Sequence, residues 1–173
     1  MISSCIPIPL LLGGGDEPTI PDLNPHYLPV GIHDCTLEEV SAVFGQPPQR
    51  KAMMDKLSEY TTAIRMLGVT GWILVNGSFV SSKESPGDID IIVVMNRERW
   101  SQLLNTPNAF AALRLLNPGE ARMNYRLHIF PGCADASTSD GFVNPDRHLV
   151  PYFDLFTTIR NGGARKGILR VAI

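Results

Sequence analysis

Apolar residues recur along this chain in the two rhythms of buried secondary structure. Trp72-Ile73-Leu74-Val75 and Ile91-Ile92-Val93-Val94 are short continuous apolar runs, the pattern of strands covered on both faces. Residues 125–130 alternate and read as a third strand, and residues 166–173 as a closing one. Helical signals fall between them. Thr36 with Glu39 makes a capping box that opens a short helix reaching about Phe44. Pro47-Pro48 starts a longer helix whose core stripe is Met53, Met54, Leu57, Ala63, Ile64 and Leu67, ending at Gly68. Residues 97–104 and 109–116 read as helices parted by Thr106-Pro107, and residues 147–160 as a further helix. Residues 1–30, proline-rich and carrying Gly13-Gly14-Gly15, read as an irregular arm. The domain proper is expected over 31–173, as an α/β (α+β) unit with a small mixed sheet flanked by helices.

Composition narrows the class. With 173 residues, 44% apolar and 18% charged, the chain suits one packed core rather than a disordered polymer. No apolar run approaches the 18 or more residues of a membrane span. Ile6-Pro7-Ile8-Pro9-Leu10-Leu11-Leu12 is short, proline-broken and preceded by no Lys or Arg, unlike a signal peptide. Cys5, Cys35 and Cys133 are odd in number and lack CxxC spacing, which argues against a disulfide framework and a zinc site. A bacterial cytoplasm is the expected compartment. The net charge of −2 is unevenly spread: residues 146–173 carry +3, leaving −5 on the rest. A basic end on an acidic body suits contact with nucleotide phosphates or RNA, and solvated surface charge is the plainer alternative. Arg165 and Lys166 are its candidate phosphate contacts, and Gly167 after them lets a strand pass close to a ligand.

The chemistry lies between the two apolar strands. Gly77-Ser78-Phe79 follows the first, and Asp88-Ile89-Asp90 opens the second after a polar connector, 80–87. Side chains alternate along a strand, so Asp88 and Asp90 share one face, about 7 Å apart. Hard carboxylate oxygens at that spacing suit Mg²⁺ or Mn²⁺. Two-metal sites of this kind stabilise the attacking and leaving oxygens of a phosphoryl displacement. Gly77 permits close backbone approach to a phosphate, Ser78 offers a hydroxyl and an N–H, and Lys83 can reach phosphate from the connector. The opposing reading is an ordinary turn followed by two residues that cap a strand.

This layout resembles the signature of the DNA polymerase β-like nucleotidyltransferase superfamily over residues 72–94. In that family the Gly-Ser turn holds a nucleoside triphosphate and the two aspartates bind Mg²⁺. The resemblance gives those roles to Gly77, Ser78, Asp88 and Asp90, with Asn76 standing where an apolar residue is commoner. Leu28-Pro29-Val30-Gly31-Ile32-His33, Thr36-Leu37-Glu38-Glu39-Val40 and the ending 160–169 are similar to an uncharacterised family of bacterial and phage-encoded nucleotidyltransferase-like proteins. Together these stretches extend the resemblance over most of residues 28–170.

One departure bears on activity. Active members of the superfamily bring a third carboxylate from a later strand, whereas Tyr125-Arg126-Leu127-His128-Ile129-Phe130 contains none. Alternation sets Arg126 and His128 on one face, so His128 takes the acid's place as a base or a nitrogen ligand. Asp135 and Asp140, in the expected following loop, are the other substitutes. His33-Asp34-Cys35 is read as local packing or capping, and His26 and His148 as surface residues.

Two functions follow from the resemblance. One is a Mg²⁺-dependent nucleotidyltransferase moving a nucleoside monophosphate from a nucleoside triphosphate to a tRNA end, a protein side chain or a small molecule. A toxin–antitoxin or phage-defence setting is implied by analogy. The other is an inactive relative that senses nucleotide or binds a partner protein.

Overall fold

The structure is a computed structural model that describes residues 27–159 and 163–173. Most of the expected arm lies outside the described residues, as do Cys5, His26 and Arg160. Leu28 within the arm's last four residues is buried in the main core, and its carbonyl accepts from Gly167 N–H. Packing therefore begins at least three residues before the boundary expected at residue 31.

Seven strands and six helices make a mixed α/β fold among the described residues. The strands are β1 (Ile32–Asp34), β2 (Gly71–Asn76), β3 (Ile89–Asn96), β4 (Leu127–Ala134), β5 (Ala136–Thr138), β6 (Gly141–Val143) and β7 (Ile168–Ala172). The helices are α1 (Leu37–Phe44), α2 (Pro48–Met66), α3 (Arg97–Leu103), α4 (Ala109–Leu115), α5 (Pro118–Tyr125) and α6 (Val150–Thr157). Five strands form one sheet in the order β1-β7-β2-β3-β4, and β5 and β6 form a separate hairpin. The outer pairs, β1–β7 and β3–β4, are parallel; β7–β2 and β2–β3 are antiparallel.

Local chemistry accounts for the boundaries. Thr36 accepts from Glu39 N–H at 3.2 Å while Glu39 accepts from Thr36 N–H at 2.8 Å, the reciprocal cap expected at α1. Pro48 sits in the first turn of α2, where its missing N–H costs nothing. Residues 118–125 form a helix that the sequence reading omits. Asn117 caps it and Arg126 ends it in the left-handed region, at φ 58°. The third strand accordingly starts at Leu127 rather than Tyr125. Arg126 is a helix cap and does not share a strand face with His128.

Alternation gives the sheet two different faces. Ile73 and Val75, Ile89, Ile91 and Val93, Leu127 and Ile129, and Leu169 and Val171 belong to the larger core with α1, α2, α4 and α5. Leu74, Ile92, Val94, Ala134 and Ile168 belong to a smaller cluster with Leu149 and Phe156, beside and within α6. Asn76, Asp90 and His128 fall in step with this second set, beyond the edge of its apolar cover.

Candidate metal–nucleotide cleft

The site is built at one end of three neighbouring strands. Asn76 closes β2, Asp90 follows the first residue of β3, and His128 follows the first residue of β4. Register pairs Asn76 with Asp90 and Asp90 with His128, so the three lie side by side in one row. Asp88 immediately precedes β3. Donor atoms of Asp88, Asp90 and His128 all lie within 4.8 Å of one another. His128 Nδ1 is 3.1 Å from Asp90 Oδ1, with the imidazole 42% and the carboxylate 25% exposed, so both groups reach solvent.

Gly77 opens a short 3-10 turn, Gly77–Val80, at φ +77°. A Cβ there would collide with the Asp90 carboxylate. The missing Cβ of Gly77 leaves the room that the Asp90 carboxylate occupies. The Gly77 N–H donates to Asn76 Oδ1 at 2.6 Å, which turns that amide toward the strand.

A cleft of about 700 Å³ surrounds the row, a volume within the usual range for small-molecule sites. One wall is polar: Gly77, Ser78, Lys83, Asp88, Asp90 and His128, together with Ser81 and Ser82 of the connector. Tyr27, Phe130, Leu155 and Phe156 line the same cavity, with Lys166 beside Tyr27. Seven of the eight expected site residues therefore converge on one cavity. Arg165 is the exception: it does not line the cleft, and its guanidinium donates to Thr157 at 2.9 Å and reaches Asp154 at 3.4 Å.

The basic end divides in a way its sequence does not reveal. Arg170 is buried against Trp72 and paired with Asp34 at 2.5 Å, leaving Lys166 as the cation of residues 163–173 that lines the cleft. Gly167 serves packing, since a Cβ there would strike the Pro29 carbonyl and the His33 ring. His33 itself bonds the Pro29 carbonyl at 2.7 Å rather than capping α1. Asp135 bonds Arg97 at 2.6 Å beyond the far end of β4, roughly 20 Å along the strand from His128. Asp140 stands in the turn between β5 and β6. Neither supplies the third acid.

Two contributors escape the sequence reading. Arg50, 5% exposed, sends its guanidinium under the connector to the carbonyls of Phe44, Phe79, Ser81 and Lys83. Burial lowers its pKa from the ordinary arginine value, yet guanidinium stays charged at neutral pH. Its spacing to Met53, Met54 and Leu57 places it on the apolar stripe of α2, and a charge on such a stripe is a readable signal. Asn76 is the second; a polar residue ending a buried apolar strand carries a similar signal.

The sequence profile of one family covers residues 21–172. The chain belongs to DUF6932, a family of unknown function. No curated protein and no solved structure matches it.

Proposed function

We propose that this DUF6932 protein is a divalent-metal-dependent nucleotidyltransferase, moving a nucleoside monophosphate from a nucleoside triphosphate to an acceptor hydroxyl. The observation that carries this reading is the convergence of Asp88, Asp90 and His128 beside the Gly77-Ser78 turn in one open cleft. It gives physical support to the likeness between residues 72–94 and the polymerase β-like superfamily.

The donor set suits a metal. Two carboxylates and an imidazole lie within coordinating reach of a single point, and Asp88 meets no cation among the described residues. Asp88, Asp90 and His128 would hold the ion. When bound, it supplies charge neutralisation at the phosphates during in-line displacement. The chain's own groups do the remainder. Ser78, Lys83 and Lys166 face the phosphate tail, while Tyr27 and Phe130 offer aromatic surface to a base or an acceptor. A bond forms between the acceptor oxygen and the α-phosphorus as the bond to the bridging oxygen breaks; the hydroxyl proton passes to water and pyrophosphate departs. The acceptor is an RNA end, a protein side chain or a small molecule, and nucleoside triphosphate as the donor favours the cytoplasm.

A silent nucleotide sensor that binds a partner is the second reading. Its support is His128, which stands in register with Asp90 where a third carboxylate would complete the acidic set.

The test uses each labelled nucleoside triphosphate with Mg²⁺ or Mn²⁺ and total RNA or cell lysate. Label transfer by the parent and none by the Asp88→Ala/Asp90→Ala double variant is the expected result. Metal-dependent thermal stabilisation by nucleotide without transfer favours the sensor. No stabilisation and no transfer rejects both.

A further inference from the structure

Asn76 is 1% exposed and its side-chain amide uses its full hydrogen-bonding capacity. Oδ1 accepts from Gly77 N–H at 2.6 Å and from the Lys166 ammonium at 2.7 Å. Nδ2 donates to the Phe156 carbonyl at 2.6 Å and to the Gly167 carbonyl at 3.4 Å. The assignment of oxygen and nitrogen is fixed by the partners: an amide N–H and an ammonium only donate, and two backbone carbonyls only accept. These partners come from the Gly-Ser turn, from α6 and from the segment entering β7. A single buried amide thus joins three elements of the cleft wall.

The ammonium it holds is placed for anion contact. Lys166 Nζ lies 5.3 Å from the centroid of the Tyr27 ring, which faces the same cavity. A lysine side chain has four rotatable bonds, and fixing it in advance removes the entropy that phosphate binding would otherwise have to offset. Aspartate at position 76 would neutralise the ammonium and turn a carboxylate toward two carbonyls. A leucine would take the amide away from all four partners. Asparagine holds the ammonium without adding a countercharge of its own.

We propose that Asn76 is a positioning residue that presents the Lys166 ammonium to the phosphate tail of the bound nucleotide. This inference rests on the nucleotide reading of the cleft and assigns a role to the position where the chain departs from the superfamily pattern.

A double-mutant cycle on full-length protein tests it, with inorganic tripolyphosphate and Mn²⁺ as the probe and calorimetric titration as the readout. Lys166→Met is expected to weaken binding about tenfold, the scale of one charge-assisted contact. Asn76→Ala is expected to weaken it severalfold, and to add less than about twofold in the Lys166→Met background. Asn76→Ser, which keeps one oxygen, repeats the cycle if the alanine variant melts below the assay temperature. Equal losses from the Asn76 variants with and without Lys166 would show a general packing role and overturn the proposal. So would unchanged binding in folded Asn76 variants. Failure of the parent to bind tripolyphosphate rejects the nucleotide reading itself, and this inference with it.

Discussion

Asp90 is bounded on three sides by residues of the site. Asn76 flanks it on β2, His128 flanks it on β4, and Gly77 supplies the gap its carboxylate fills. Gly77→Ala should cost about 1–2 kcal/mol from the left-handed backbone alone, and should push the carboxylate aside. Denaturant melts read the first effect; a Mn²⁺ titration reads the second as weaker binding. In the proposed site His128 would set the character of the ion. Imidazole favours borderline transition metals, whereas Mg²⁺ takes oxygen. His128→Asp should therefore narrow the gap between Mn²⁺ and Mg²⁺ affinity, measured by calorimetry with each ion, and an unchanged ratio would exclude His128 from the donor set. Asp88, Asp90, Gly77 and Ser78 were legible because strand alternation and a flanking turn are local patterns. Asn76 was visible only as an oddity, since its partners Phe156, Lys166 and Gly167 stand 80 to 91 positions later.

At the scale of elements, the connector between β2 and β3 depends on α2. Arg50 gathers the carbonyls of Phe79, Ser81 and Lys83, so it ties down a polar loop whose middle, residues 82–85, is exposed. Arg50→Met should cost about 2–4 kcal/mol by leaving buried carbonyls unanswered, and should weaken nucleotide binding through a loosened connector. Chemical denaturation and a nucleotide titration check the two parts. The other end of β4 is held by Arg97, which bonds Asp135 at 2.6 Å and Asp146 at 2.8 Å. Burial raises the Asp146 carboxyl, but bonds from Arg97 and Cys133 N–H and the charges of Arg97 and His148 outweigh it and hold it low. Bonds from Asn144 and Arg97 lower Asp135 likewise. Both contributions are complete above the ordinary Asp value of about 3.9 and disappear as pH falls through the lower folded values. Thermal melts should stay level from about pH 7 to 5 and fall below about pH 4, with Asp146→Asn flattening that decline. Helix α1 and the start of α2 were legible from their capping chemistry. Helix α5 was not, because Pro118-Gly119 reads as a turn until Asn117 is seen capping it. Strands β1, β5 and β6, at three residues each, are too short to carry a period.

Among the described residues the sheet has one fully covered face and one partly covered face, and the cleft opens where the second cover ends. That division explains how charge is used. Arg170 points to the same side as the site row but is pinned between Trp72 and Phe142 and bound to Asp34, where it fastens the β5–β6 hairpin through the Thr138 carbonyl. Lys166, four residues earlier, reaches the cleft instead. A net charge counted along the sequence cannot distinguish these fates, because burial and partner are set by the sheet order. Among the described residues, no helix is long and apolar enough to cross a membrane. The proposed function requires the Asp88–Asp90–His128 cluster to bind a metal together with a nucleotide. A crystal structure of the protein with Mn²⁺ and a non-hydrolysable nucleoside triphosphate tests it most directly, through the anomalous signal of manganese. The expected result is a peak bonded to Asp88, Asp90 and His128, with the triphosphate running toward Ser78 and Lys166. A nucleotide bound elsewhere, or a cleft with no manganese peak and the Asp90–His128 contact intact, would contradict it.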